Sequence, residues 1–101
     1  MREQLEKLLA AGRDNALLRF GLGNACLKEG DPAAAALHLG QATQQNPAHS
    51  AAWKLLGKAL QQLERPQEAE AAWEKGLEVA VKQGDIQSSR EMTVFLKRLR
   101  R

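Results

Sequence analysis

The chain has 101 residues, of which 44% are hydrophobic and 27% charged, and its formal net charge at pH 7 is +3. This length fits one domain, and no apolar run approaches the roughly 20 residues that a membrane-spanning helix needs. The single cysteine excludes an intramolecular disulfide framework and cannot by itself build a structural zinc site. The opening MREQLEKLLAAG is too polar for a secretory signal, so we expect a cytoplasmic protein.

The first half of the chain contains signals for three helices. Gly12 is expected to end the first, over residues 2–11, and Asp14 to cap the second. Gly30 stops the second helix, and Asp31-Pro32 supplies the N-cap and first residue of the third. The first helix carries leucines on one face, at Leu5, Leu8 and Leu9.

The second half continues in the same manner. Asn46-Pro47 ends the third helix, and Ser50 is the predicted cap of the fourth. Pro66 opens a fifth helix, which Gly84 stops. A sixth, over residues 86–99, has an apolar face and a predicted capping box formed by Ser88 and Glu91.

The middle of the chain repeats itself with a period of 34 residues. Small residues coincide with small residues and prolines with each other when the sequence is shifted by that period. The aligned pairs include Leu22-Gly23 with Leu56-Gly57, Pro32 with Pro66, Ala35 with Ala69, and Leu39 with Trp73. We expect Gly23, Ala35, Gly57 and Ala69 at close helix contacts, where larger side chains would overpack the interface.

A helix–turn–helix unit of this period resembles the tetratricopeptide repeat. Residues 50–83 match the family pattern at Trp53, Leu56, Gly57, Leu60, Ala69 and Trp73. Residues 16–49 match it at Leu22, Gly23, Ala35, Leu39, Ala42 and Pro47. The chain departs from the pattern where Arg19 replaces a Trp, Cys26 a common Tyr, and Val81 the terminal Pro.

The resemblance implies an all-α fold, a right-handed solenoid of about six helices forming a single domain over residues 1–101. The N-terminal helix over 2–11 and a C-terminal capping helix over 86–99 would complete the core of the two repeats. The last segment is not predicted as a third copy, because Arg90 and Glu91 stand one period after the Leu56-Gly57 pair.

No catalytic arrangement is visible in the sequence. His38 and His49 are isolated and lie in no metal-ligand spacing, and both are interpreted as structural or surface residues. Cys26 matches Leu60 one period later, so it is expected to fill the core. We predict neither enzyme activity nor a metal, cofactor, membrane or small-molecule substrate.

The resemblance implies a concave groove lined by the first helix of each repeat. Carried over position by position, the groove residues are Leu17, Phe20, Asn24, Leu27, Lys28, Lys54, Leu55, Lys58 and Gln62. Lys54 and Lys58 share a helix face at spacing i, i+4, which favours an acidic or amphipathic peptide as the ligand. Asn24 and the two lysines also match part of a carboxylate clamp known in the family. The expected function is a protein-interaction module, an adaptor or assembly factor.

Three alternatives remain open at this point. The two lysines would equally keep a helix soluble. An exposed surface at Leu17 and Phe20 would suit a homodimer. The basic end KRLRR, residues 97–101, attracts phosphate, although the cations would also stabilise a helix C-terminus and no aromatic is interleaved for base stacking.

Overall fold

The computed structural model describes residues 1–101 as six α-helices without β-strands, which confirms the all-α expectation. None of the helices is both long and apolar enough to cross a membrane. The helices are α1 (Arg2–Ala10), α2 (Ala16–Lys28), α3 (Pro32–Gln45), α4 (Ser50–Gln62), α5 (Pro66–Gln83) and α6 (Ile86–Leu99).

Each helix packs against the next one along the chain, and the tightest pairs are the hairpins α2–α3 and α4–α5. Helix α4 also contacts both α2 and α6, so these three helices form one row. The result is an elongated molecule of 42 × 28 × 18 Å. Its core has two neighbouring clusters, with Ala36 and Leu56 packed against both.

The repeated small residues lie where the helices of each hairpin meet. A methyl group on Gly23 would overlap the side chain of Leu39, and one on Gly57 would overlap the indole of Trp73. Ala35 and Ala69 are fully buried. Residues one period apart thus make equivalent contacts in both hairpins, as the sequence predicts.

Three of the predicted helix caps are wrong. Asn15, and not Asp14, caps α2 by accepting a hydrogen bond from the Leu18 N–H, because the Asp14 carboxylate is engaged by Arg19. The other two predictions fail at α4, where the Ser50 hydroxyl binds Asp85, and at α6, where Asp85 is the cap and Glu91 is bound by Lys54.

Helix α4 begins at Ser50, one residue after an N-cap position occupied by His49 without a side-chain cap. The Ser50 hydroxyl instead donates a hydrogen bond to the carboxylate of Asp85. Asp85 itself caps α6 by accepting from the Ser88 N–H, so there is no Ser88–Glu91 capping box. The remaining signals hold: Asp31 caps α3, Pro32 and Pro66 open α3 and α5, and Gly84 ends α5 with φ of +71°.

The buried positions of helix α6 correspond to those of α2 and α4, but at a spacing that differs from the 34-residue period. A shift of 34 residues matches three positions of α2 with three of α4: Leu18, Leu22 and Cys26 with Ala52, Leu56 and Leu60. A shift of 36 residues is needed to match the same α4 positions with Ser88, Met92 and Leu96 of α6. All nine are buried except Leu56, which is half-buried. The two extra residues arise because α5 has 18 residues and α3 only 14, while the loop after α5 is two residues shorter.

Candidate functional site

The sequence-predicted groove residues all lie on α2 and α4, but they differ in how far they are open to solvent. Leu17 is 76% exposed, the largest exposure among the leucines of the chain. Phe20, Leu27 and Leu55 are half-buried and pack against the cluster of Cys26, Ala35, Leu39 and Ala59. The apolar part of the predicted groove that solvent reaches is therefore mainly Leu17, with part of Phe20.

Phe20 also joins α2 to the start of α4. Its ring packs against that of His49, with 4.5 Å between the centroids and an angle of 47° between the planes. Both residues are half-buried. This contact holds an aromatic surface beside the exposed Leu17, three residues earlier on the same helix face.

The two lysines of α4 are not free charges. Lys54 Nζ lies 3.3 Å from Glu91 Oε1 on α6, and the Lys54 side chain is only 16% exposed. Lys58 Nζ lies 5.2 Å from the centroid of the Phe95 ring, also on α6, in a cation–π contact. Both lysines thus connect α4 with α6, a role that their i, i+4 spacing alone does not reveal.

Asn24 and Lys28 lie at the other end of α2, where the start of α1 approaches it. With Met1, Arg2, Ala25 and Glu29 they line a cavity of about 320 Å³. Arg2 Nη1 lies 3.1 Å from Asp31 Oδ2 and 3.6 Å from Glu29 Oε2. Lys28 is exposed and has no carboxylate within 4.0 Å, so it remains available to a ligand, as does the exposed Gln62 of α4.

The matching phase of α6 adds residues that the sequence interpretation missed. At the 36-residue spacing, the groove positions Lys54, Lys58 and Gln62 correspond to Arg90, Val94 and Arg98. Arg90, Val94, Lys97 and Arg98 are exposed, and none of the three cations has a carboxylate within 4.0 Å. The helical spacing of the apolar Met92 and Leu96 was the sequence signal for the phase of this helix.

Charge is unevenly divided between the two sets of helices. Helices α2, α4 and α6 together carry seven Lys or Arg residues and a single carboxylate, that of Glu91. Helices α1, α3 and α5 carry four Lys or Arg residues and six glutamates. The row of α2, α4 and α6 is therefore strongly cationic although the whole chain carries only +3.

The basic C-terminus is only partly free. Arg100 donates to Glu70 Oε2 at 2.7 Å and to Glu74 Oε2 at 3.0 Å, which ties the end of α6 to α5. These carboxylates raise the pKa of the Arg100 guanidinium. The run KRLRR is thus divided between structural and unpaired cations.

The histidine and cysteine side chains are held by the fold. His38 Nδ1 lies 3.1 Å from Arg19 Nη1, and the Arg19 guanidinium also makes two hydrogen bonds to Asp14. Burial lowers the pKa of His38 and raises the pKa of the fully buried Cys26 thiol. A raised pKa disfavours the nucleophilic thiolate, so this cysteine is not activated.

Two helical hairpins that make equivalent contacts, flanked by one helix on either side, define an α-helical repeat protein. The chain belongs to the tetratricopeptide repeat family, whose sequence models match residues 27–91 and 2–39. Proteins of this class generally mediate protein–protein interactions and are typically non-catalytic.

Relatives support the assignment over nearly the whole chain. The chain is 54% identical to the TPR repeat-containing protein PA0015 of Pseudomonas aeruginosa, over 100% of its own length and 96% of that protein. The solution structure of protein BPP2914 from Bordetella parapertussis is 45% identical, with a TM-score of 0.83 over 98% of this chain and 86% of that one. A tetratricopeptide repeat domain protein from Salinibacter ruber shares the fold at 21% identity, with a TM-score of 0.76 over 85% and 87% of the two chains.

Proposed function

We propose that the chain is a non-enzymatic adaptor or assembly factor of the cytoplasm, which binds an acidic or amphipathic segment of another protein along α2, α4 and α6. The observation that carries this proposal is the charge division: seven cations and one carboxylate lie on these three helices. Arg19, Lys54 and Lys58 make contacts within the fold, whereas Lys28, Arg90, Lys97 and Arg98 are exposed and have no carboxylate within 4.0 Å. This unpaired positive charge favours an acidic partner, whose encounter it accelerates and whose orientation it fixes.

The ligand surface in this proposal contains the nine residues named from the sequence, with unequal roles. Leu17, Phe20 and Asn24 offer an uncharged end, and Lys28 and Gln62 offer polar side chains near the ends of α2 and α4. Leu27 and Leu55 support this surface from the core side. Lys54 and Lys58 contribute positive potential while remaining attached to α6.

Photocrosslinking in cells tests where a partner binds. The amino acid p-benzoylphenylalanine replaces Leu17 in one variant and Leu37 of α3 in the other. These leucines are matched in residue type and exposure, at 76% and 63%, but Leu37 lies on a helix outside the row. We expect a protein adduct at position 17 and none at position 37. Mass spectrometry of the adduct then identifies the crosslinked segment of the partner.

The same experiment separates the alternatives. Adducts at position 37 alone would overturn the proposed location. An adduct of twice the chain mass at position 17 would replace the proposal by a homodimer, which the exposure of Leu17 favours. An adduct with RNA would assign the cationic row to nucleic acid.

A further inference from the structure

Most of the unpaired positive charge of the row formed by α2, α4 and α6 lies on α6, whereas the most exposed large apolar side chain of the row, Leu17, lies on α2. At the α6 end, Arg90, Lys97 and Arg98 are exposed, with no carboxylate within 4.0 Å. Their spacing of i, i+7 and i+8 places them on one helix face. The α4 lysines between the two ends already contact Glu91 and Phe95.

The start of α2 offers apolar surface instead. Leu17 is 76% exposed beside the Phe20–His49 contact, and the next groove position holds the neutral Asn24. Arg19 is bound to Asp14 and His38, and the exposed Lys28 lies at the opposite end of the helix, so the unpaired cation nearest to Leu17 in sequence is Arg13 of the preceding loop. An apolar side chain of a ligand covers Leu17 and the Phe20 ring, whereas a run of carboxylates finds more unpaired cations on α6.

The distance between the ends follows from helix packing. Helix α4 contacts both α2 and α6. Packed helix axes lie about 8–10 Å apart, so α2 and α6 are separated by about 20 Å. An extended chain covers about 3.3 Å per residue, so about six residues span this lateral distance to Arg90, and about eight reach Lys97 and Arg98, which lie about 15 Å further along α6 than the level of Leu17.

We infer that the ligand is an extended peptide with two separate determinants: one apolar side chain bound at Leu17 and Phe20, and a run of carboxylates bound by Arg90, Lys97 and Arg98, about six residues away. This inference rests on the proposed function and adds the pattern of the ligand to it. Charge complementarity selects the acidic half. The absence of an exposed aromatic beside the α6 cations favours a peptide over a single-stranded nucleic acid, whose bases stack on aromatic side chains.

Fluorescence anisotropy with three synthetic peptides tests the pattern. All three contain the same run of Glu residues in a Gly-Ser chain. The first peptide has a Leu about six residues from the Glu run, the second has the Leu next to the run, and the third has no Leu. We expect the first peptide to bind about tenfold more tightly than the other two, the effect of burying one apolar side chain. Equal affinities for the three peptides would overturn the inference.

Two variants locate the determinants. The Arg98→Glu variant is expected to weaken all three peptides, whereas Arg13→Glu, with the same charge change in the loop before α2, is expected to weaken them less. The Leu17→Ser variant is expected to remove the preference for the first peptide without changing the binding of the third. Equal effects of Arg98→Glu and Arg13→Glu, with folding confirmed by circular dichroism, would contradict the α6 assignment.

The outcomes distinguish this inference from the proposed function. A crosslinked partner at position 17 together with equal peptide affinities leaves the interaction module in place and removes the two-determinant ligand. A single-stranded RNA that binds more tightly than every peptide, and loses this binding in Arg98→Glu, would assign the α6 cations to nucleic acid and overturn the inference.

Discussion

Gly57 of α4 lies directly against the indole of Trp73 of α5, so closely that a single added methyl group would overlap the ring. The indole N–H also donates a hydrogen bond to the Lys54 carbonyl, at 3.0 Å. Gly23 and Leu39 repeat the same relationship one period earlier. A glycine inside a helix is intrinsically unfavourable, so its presence here is explained by the close approach that it permits.

The first prediction compares two glycine substitutions. Gly57→Ala is expected to lower the free energy of unfolding by about 1–3 kcal/mol, because the methyl group overpacks the contact with Trp73. Gly40→Ala is the matched control inside α3, where nothing lies within 4 Å of the added carbon. There alanine is expected to raise the free energy of unfolding by about 0.5–1 kcal/mol. Urea denaturation measures both; similar changes in the two variants would contradict this account.

A second prediction concerns Lys54 and Glu91, whose side chains are 16% and 34% exposed. Lys54→Glu places two carboxylates together and is expected to cost about 1 kcal/mol of stability. The double variant Lys54→Glu/Glu91→Lys restores opposite charges and is expected to recover most of this loss. Urea denaturation gives the energies, and hydrogen exchange of the α6 amides reports whether α6 has loosened. A double variant as unstable as the single one would show that the ion pair does not hold α6.

The fold could be predicted because its determinants recur at one spacing. Gly23 and Gly57 identify the helix contacts, and Pro32 and Pro66 the starts of the second helices, whether or not the distant partners are known. The phase of α6 could not be obtained from this spacing. Two additional residues between α4 and α6 move the match from Arg90 to Met92, a change that the spacing of Met92 and Leu96 indicates and the packing of Met92 confirms.

The candidate site was harder to predict because its charges depend on pairs far apart in sequence. Lys54 looks free beside Lys58, yet its partner Glu91 lies 37 residues later. Asp14 is a residue type that often caps a helix, but Arg19 and the distant Gln45 both donate hydrogen bonds to its carboxylate, and the neighbouring Asn15 is the cap instead. Local propensity names residues that are able to cap; tertiary contacts decide which of them does so.

A third prediction addresses Asp85, which joins two helices. Its carboxylate accepts hydrogen bonds from the Ser50 hydroxyl on α4 and the Ser88 N–H on α6. Asp85→Ala removes both and is expected to cost about 1–2 kcal/mol, whereas Asp85→Asn keeps the cap and is expected to cost less. Ser50→Ala removes only the link to α4, a loss of about 1 kcal/mol. Thermal or urea unfolding ranks the three variants, and an Asp85→Asn variant as unstable as Asp85→Ala would contradict the capping role.

Acid is expected to weaken the hydrogen bond between Ser50 and Asp85. The Ser50 hydroxyl, followed by the Ser88 contacts, lowers the pKa of Asp85 from its usual 3.8. The stabilisation is therefore present above the unfolded pKa of 3.8 and is lost as the pH falls below it toward the folded value. Ser50→Ala is expected to lose less stability over this acidic interval than the wild type, as urea midpoints measured at a series of pH values would show. An unchanged acid slope would exclude the Ser50 contact as its source.

The last prediction concerns the stability of the fold near neutral pH and rests on His38. Burial, followed by the charge of Arg19, lowers the pKa of His38 from its usual 6.5. The folded state therefore favours the neutral ring, and its stabilisation is complete above pH 6.5 and lost as the pH falls through 6.5 toward the folded pKa. A protonated ring would also face the Arg19 guanidinium across 3.1 Å and lose its role as hydrogen-bond acceptor.

Urea midpoints measured from about pH 7.5 down to about pH 5 are therefore expected to fall in the wild type and to fall less in His38→Gln. Glutamine still offers Arg19 an acceptor but does not titrate. The difference is assigned to His38 only if His49→Gln, the corresponding change at the other histidine, keeps the wild-type slope. An Arg19→Gln variant should also reduce the slope, because it removes the cation that opposes protonation of His38. A slope unaffected by either His38→Gln or Arg19→Gln would place the pH sensitivity elsewhere in the fold.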